Sequence, residues 1–211
     1  MSSLSNIADA IYDGDLATVV AQTNSAIQNE TPALEILEKG LMAGMDRVGQ
    51  DFKTGDLFIP EVLIASRAMQ AGMEILKPLL VTQKIKSPGK IILGTVQGDL
   101  HDIGKNLVAI MLQGAGFEVI DLGVDVGRDI FLKAIIENKP DLVGMSSLLT
   151  TTMPQMSEII EAIKQAGLRD QVKIMVGGAP LNEHYAQKIG ADGYAQNSSI
   201  AVDLAKSLIN A

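Results

Sequence analysis

Beyond residue 90 the chain settles into a repeat that few folds can accommodate. Short aliphatic runs at 91–96, 119–122, 142–146, 174–176 and, more weakly, 193–195 are each followed by a stretch with helical spacing, at about 103–115, 128–138, 154–166, 182–188 and 199–209. Runs this short and this continuously apolar suit strands buried on both faces, which is the habit of parallel sheets. Strand and helix in strict alternation imply a single parallel sheet of five strands covered by helices on both sides. In such sheets ligands sit beyond the carboxyl ends of the strands, so the functional residues are expected immediately after each run.

Residues 1–81 are written differently. Apolar residues recur there at three and four steps, and strand-like alternation is missing. Leu34, Leu37, Leu41, Met45, Val48 and Phe52 form one stripe, with Thr31 expected to cap the helix and Pro32 to open it. Val62, Ala65, Met69, Met73 and Leu76 form a second, entered through Pro60, and shorter helices are expected at about 4–12 and 15–28. The sum is a four-helix bundle. The methionines at 42, 45, 69 and 73 read as flexible core fill, and Gly114 with Gly116 as a helix stop. Between the stripes, Phe58 and Ile59 sit in a loop too apolar for a plain solvated connection. It suits either a loop folded over its own bundle or a lid over the second domain. Polar, basic Thr82-Gln-Lys-Ile-Lys-Ser-Pro-Gly-Lys90 reads as a linker, giving domains at 1–81 and 91–211.

The formal charge is −8, of which −6 falls on residues 1–83, so the electrostatic basis for binding a phosphate backbone is missing and nucleic acid is not an expected partner. With no cysteine in the chain, disulfides and thiolate metal sites are excluded. The first residues lack a basic and an apolar signal region, and no apolar run approaches the roughly 20 residues of a membrane span. A cytoplasmic location without membrane attachment is therefore expected.

Four segments follow the strands: Gly98-Asp-Leu-His-Asp-Ile-Gly104; Ser146-Ser-Leu148 with Thr150–Thr152; Gly177-Gly-Ala179; and Tyr194-Ala-Gln-Asn-Ser198. All carry small or polar residues where bulk would block a ligand. His101 lies between Asp99 and Asp102 and could be a plain surface histidine in an acidic loop. Alternatively Asp99 accepts the proton of one ring nitrogen and leaves the other as a lone-pair donor, the arrangement of a metal ligand. A single histidine with no convergent second ligand cannot complete a zinc or calcium shell, so the metal would have to bring its other ligands in a macrocycle. His184, on a helix beyond the fourth strand, reads as a surface residue.

Asp99-x-His101-x-x-Gly104, then 41 residues, Ser146-x-Leu148, then 28 residues, Gly177-Gly178 resembles the cobalamin-binding signature shared by methionine synthase and the corrinoid methyl carriers of methylamine, methanol and O-demethylase systems. Mutases that rearrange carbon skeletons share the signature. However, Gly40-Leu-Met-Ala-Gly44 and Val48-Gly49 through Phe52 to Glu61 and Val62 resemble the helical cap of the methyl-transferring members. The resemblance implies a helical cap before a flavodoxin- or Rossmann-like cobalamin domain. It also implies that the benzimidazole of the cofactor leaves cobalt and threads beside the sheet while His101 takes its place. Gly104 would let the nucleotide tail pass and Ser146 would bond the benzimidazole nitrogen, with Thr150 and Ser198 as further contacts. Gly98, Leu100, Asp102, Ile103, Leu148, Gly177, Gly178, Ala179 and Tyr194 would complete the cofactor loops. Thr152 stands where the family can place a serine that extends the His–Asp pair into a relay. Glu38, Phe52 and Ile59 match cap positions that approach the upper face, where methionine synthase has Leu in place of Ile59.

Methyl-cobalt favours an axial nitrogen and cobalt(I) does not hold one, so His101 is expected to release and gain a proton as the methyl group departs, helped by Asp99. The apolar cap would shield the cobalt and swing away on the linker for a partner. In 211 residues there is room for cap and cobalamin domain only, so the expected role is a methyl carrier without a complete reaction of its own. Its expected partners are a substrate-specific methyltransferase, a second methyltransferase to tetrahydrofolate or coenzyme M, and a reductive activase. A cobalamin-binding sensor is the alternative, though no output module is evident. A phosphoacceptor switch on a similar sheet is the third, and it would leave His101 idle.

Overall fold

The computed structural model describes residues 3–83 and 87–210, with the side chain of Ser3 left aside. Two compact units divide the chain, Met1–Ser87 with Gly114–Gly116, and Pro88–Gln113 with Phe117–Ala211. Of the 82–90 segment, residues 84–86 lie outside the described residues. No helix among the described residues is long and apolar enough to cross a membrane.

The first unit is helical: α1 is Ser3–Tyr12, α2 Leu16–Gln28, α3 spans 33–54 and α4 is Ile59–Thr82. Asp15 starts α2 by accepting the Thr18 amide at 3.0 Å. The turn before it needs Gly14, whose φ is +70° and whose place a Cβ could not share with Ile64, 2.2 Å away. Thr31 does not cap α3. The cap position falls on Pro32, without a side-chain bond, and the helix opens at Ala33.

Along α3 an α-turn, Ala33–Ile36, runs into a π-helical segment, Leu37–Met42, before α-geometry resumes over Ala43–Thr54. A π-turn inserts one residue into the helical repeat. The buried stripe therefore holds from Leu41 through Met45 and Val48, but upstream it shifts by one position: Ala33 and Ile36 are buried and Leu34 is exposed. Helix α4 buries Val62, Ala65, Met69 and Leu76. Its start is held by Glu61, whose carboxylate accepts the Phe58 amide at 2.7 Å. Phe58 is 67% exposed and Ile59 41%, so this loop is not folded over its own bundle.

The second unit holds five parallel strands, β1 Lys90–Thr95, β2 Glu118–Asp121, β3 Leu142–Ser146, β4 Lys173–Gly177 and β5 Gly193–Ala195. Helices α5 Ile103–Gly114, α6 Arg128–Asn138, α7 Met153–Gln165, α8 Glu183–Ile189 and α9 Ser198–Ile209 alternate with them. The order is β2-β1-β3-β4-β5, the flavodoxin-like arrangement, with its switch point between β1 and β3.

Register sorts the strand residues by face. Ile92, Val143, Met145, Ile174 and Val176 pack with Phe131 of α6, Met156, Ile159 and Ile163 of α7 and Ala186 of α8. Gly94 makes room for the Phe131 ring, which a Cβ there would meet at 2.7 Å. The opposite face carries Leu93, Leu142 and Met175, and α9 lies on it, since a Cβ on Gly193, the partner of Met175, would strike Leu204. Thr95, Ser146 and Gly177, which follow one another in register across β1, β3 and β4, belong to this second face.

Candidate functional site

The loop from β1 to α5 is folded around one carboxylate. Asp99 is fully buried, and its two oxygens accept from five donors. Oδ1 takes the His101 amide at 3.1 Å and His101 Nδ1 at 2.7 Å. Oδ2 takes the Leu148 amide at 2.7 Å, the Leu149 amide at 3.2 Å and the Thr152 hydroxyl at 3.0 Å. Burial by itself would raise the pKa of this acid. The amides of Leu148 and His101, then the imidazole and the Thr152 hydroxyl, outweigh burial and hold the group well below the usual carboxylate range.

An ionised carboxylate only accepts, so the Nδ1 facing it carries a proton, and in the neutral ring the lone pair falls on Nε2. The His101 side chain is 53% exposed. The result is an imidazole fixed at one edge by a buried anion and open at the other, suited to a metal or to proton exchange. Among the described residues no group of three or more acidic or histidine side chains could hold a metal ion. A metal at His101 must therefore arrive with its other ligands.

The surroundings suit a flat apolar guest. Leu100 and Ile103, on either side of His101, are 71% and 73% exposed, and Leu148 and Leu149 on the adjoining loop are also exposed. Such a group of solvent-facing aliphatic side chains beside a buried ion is a binding surface more often than an accident. Gly104, in the first turn of α5, leaves open space where a Cβ would stand. Ser198, in the first turn of α9, buries a hydroxyl with no partner, a polar group awaiting one.

Gly98 has φ +82° and donates its amide to Asp125 at 2.7 Å. Asp102 is exposed, and its carboxylate accepts from the side-chain NH2 of Asn106 at 3.0 Å. Ser146 is half-buried on the face that α9 covers, and Thr150 and Ala179 are exposed on their loops. Gly178 has φ +137°, and a Cβ there would lie 1.8 Å from the Ser147 carbonyl. That glycine lets the loop after β4 press against the loop that holds Asp99. Tyr194 is not brought to this side: its register with Val176 turns it to the opposite face, where it packs against the core. Glu38, exposed in the π-segment, Phe52, half-buried near the end of α3, and Ile59, exposed at the start of α4, belong to the helical unit. His184 is a surface residue of α8.

Three features escaped sequence reasoning. Asp125 adopts φ +55° to reach the Gly98 amide while its own amide bonds the Asp99 carbonyl at 3.0 Å, so a strained residue braces the loop. Lys105 is buried and spans Asp121 and Asn106, and Asn106 in turn holds Asp102. Ser147, fully buried, lies 2.8 Å from the Thr152 hydroxyl. A lysine inside the apolar run Ile103–Ile110 was the one legible hint.

Comparison with known proteins finds relatives over nearly the whole chain. A family model described as B12 binding domain matches residues 89–203, and a second model with the same description matches residues 4–77. Dimethylamine corrinoid protein 1 of Methanosarcina acetivorans is 47% identical over 207 residues, covering 98% of this chain and 97% of that protein. A cobalamin-binding protein from Desulfitobacterium hafniense, known from its crystal structure, is 35% identical with a TM-score of 0.80, and 99% of each chain is covered. The methanol:cobalamin methyltransferase complex of Methanosarcina barkeri includes a chain with a TM-score of 0.88 at 29% identity, covering 99% of this chain and 80% of that one.

Proposed function

This chain belongs to the corrinoid proteins built on a B12-binding domain, and from that premise we propose that it carries a methyl group between two methyltransferases, with His101 as the residue that would hold the cofactor's cobalt. The corrinoid, when bound, supplies a cobalt that can take up a methyl group and give it back. The observation that carries the proposal is the His101–Asp99 pair, one ring nitrogen locked at 2.7 Å to a buried carboxylate and the other facing outward.

The protein's own part is binding and orientation. Asp99 sets the tautomer and direction of the imidazole, and Thr152 steadies the carboxylate. Leu100, Ile103, Leu148 and Leu149 would cover the lower face of the ring, losing their contact with water. The open side of Gly104 would leave a path for the nucleotide tail. Ser146 and the unpartnered hydroxyl of Ser198 would meet its polar atoms on the face that α9 covers. The base of the tail would then sit away from cobalt.

A methyl carrier needs a donor and an acceptor enzyme. Relatives named for dimethylamine and trimethylamine, and the methanol:cobalamin complex, suggest a methylated amine or alcohol as the source, delivered by a substrate-specific methyltransferase. A second methyltransferase, to tetrahydrofolate or coenzyme M, would remove the group, and a reductive activase would rescue oxidised cobalt. The test is reconstitution with methylcobalamin followed by absorption spectroscopy of the protein and of His101→Ala. A base-off, His-ligated spectrum that is lost in the variant supports the reading, and an unchanged spectrum in the variant overturns it. Methyl transfer is expected only after a methyltransferase is added.

A further inference from the structure

We propose that Ser147 is a positioning residue of the His101–Asp99–Thr152 relay, a fourth member whose buried hydroxyl fixes the direction in which the Thr152 proton points. The inference rests on the reading of His101 as axial ligand for its effect on cobalt, although the geometry stands without it.

Each of the two buried hydroxyls has a single proton to give. Thr152 Oγ1 has one proton and two acceptors at the same distance, Asp99 Oδ2 and the Leu149 carbonyl, each 3.0 Å away. Nothing in those distances chooses between them. Ser147 Oγ also has one proton, with Thr152 Oγ1 at 2.8 Å and the Leu149 carbonyl at 3.2 Å. The Leu149 carbonyl already accepts the amides of Thr152, at 3.1 Å, and Met153, at 3.2 Å, so it is the least needy of the acceptors.

Three arrangements follow. In one of them Ser147 donates to the Leu149 carbonyl at 3.2 Å while Thr152 donates to Asp99, which uses the longer Ser147 contact and leaves the Thr152 lone pair without a donor. The other two use the 2.8 Å contact. In the first of these, Ser147 donates to Thr152, and Thr152 donates to Asp99. In the second, Thr152 gives its proton to Leu149 or to Ser147, and its oxygen lone pair then faces an ionised carboxylate, which is repulsive in a site closed to water. Ser147 is fully buried and Thr152 nearly so, and no solvent can supply the missing donor. With its shorter contact Ser147 occupies the Thr152 lone pair and commits the threonine proton to Asp99. Valine or alanine at this position would remove the donor to the Thr152 oxygen and weaken the bond that the threonine makes to Asp99.

The placement of Ser147 is itself determined. Its amide donates to the Gly177 carbonyl at 3.2 Å, and its carbonyl lies where a Cβ on Gly178 would stand. The glycine pair at the end of β4 therefore seats the relay's last member, and through it the order runs Ser147, Thr152, Asp99, His101.

The experiment compares Ser147→Ala with Thr152→Ser and the parent chain, all loaded with cob(II)alamin at one pH, and reads the fraction with axial nitrogen from electron paramagnetic resonance. The ratio of His-ligated to unligated cobalt is expected to fall about threefold to tenfold in Ser147→Ala, the size of one lost hydrogen bond to a charged group acting through a neighbour. Thr152→Ser keeps the hydroxyl and should keep the ratio. An unchanged ratio in a folded Ser147→Ala protein overturns the inference. A second measurement needs no cofactor: the buried Thr152 hydroxyl proton reports its direction through its coupling to Hβ in the unloaded parent chain and in unloaded Ser147→Ala. A proton directed at Asp99 in the parent and shifted toward Leu149 in Ser147→Ala supports the role of Ser147, and one directed at Leu149 in the parent, or at Asp99 alike in both, overturns it. Should His101→Ala leave the axial signal intact, the ligand assignment fails while the hydroxyl measurement still decides the inference.

Discussion

Replacing Asp99 with Asn changes one oxygen for an amide, and the structure allows the consequence to be worked out bond by bond. The carboxylate accepts from three backbone amides, one imidazole nitrogen and one hydroxyl. If the asparagine oxygen faces Leu148, Leu149 and Thr152, its NH2 confronts the His101 amide, and the imidazole must reverse its tautomer and accept at Nδ1. Nε2 then carries the proton and cannot bind a metal. If the side chain turns over, the NH2 confronts two amides instead. Either way at least one buried donor loses its acceptor, costing about 1–3 kcal/mol, and the surviving bonds lose their charge assistance. A total near 3 kcal/mol corresponds to a fall in Tm of roughly 6–12 °C for a chain of this size. Thermal unfolding of the unloaded protein measures the first effect, and the absorption spectrum after loading with hydroxocobalamin measures the second. An Asp99→Asn protein as stable as the parent, with imidazole still on cobalt, would refute the reasoning.

The same carboxylate predicts a pH dependence. Its folded pKa is depressed, so between that value and the ordinary value of about 4 the unfolded chain binds more protons than the folded one. Stability from Asp99 is thus complete above about pH 5 and is lost as pH falls below about 4, and acid unfolding of Asp99→Asn should lack this component. Gly178→Ala, whose Cβ would stand 1.8 Å from the Ser147 carbonyl, should unfold the second unit or cost more than about 3 kcal/mol in denaturant titration. Gly104→Ala meets nothing and should leave the unloaded Tm unchanged while reducing corrinoid retention on a desalting column. Ser198→Ala removes an unsatisfied buried hydroxyl, so the unloaded protein should be as stable or up to about 1 kcal/mol more so, and corrinoid affinity by titration should fall.

The parallel sheet was readable because its strands are short unbroken aliphatic runs and its helices carry period and stops, so local preference and tertiary burial agree. The carboxyl-end loops were readable for the same reason: once the strands are placed, Asp99, His101 and Thr152 have to fall at one edge. What was not readable depends on single backbone choices. The π-turn at Leu37–Met42 moves Leu34 out of the buried stripe without a residue type that announces it. Thr31 and Pro32 look like cap and first turn, yet the chain enters one residue later. A three-residue β5 leaves no pattern from which to choose the face of Tyr194. Asp125 reaches φ +55° only because the Gly98 and Asp99 backbone rewards it, a tertiary effect. Phe58 and Ile59, apolar enough to demand burial on composition, are exposed in the structure.

Whether an imidazole of this chain holds the cobalt can be read without any substitution. The chain has two histidines, His101 in the site loop and His184 exposed on α8, so protein grown on nitrogen-15 histidine labels both and nothing else. Loaded with cob(II)alamin, it should convert the nitrogen splitting of each cobalt line from the triplet of the unlabelled protein to a doublet. Triplets that persist would mean that the nitrogen on cobalt belongs to the cofactor's own benzimidazole, and Asp99, Thr152 and Ser147 would have no cobalt ligand to position.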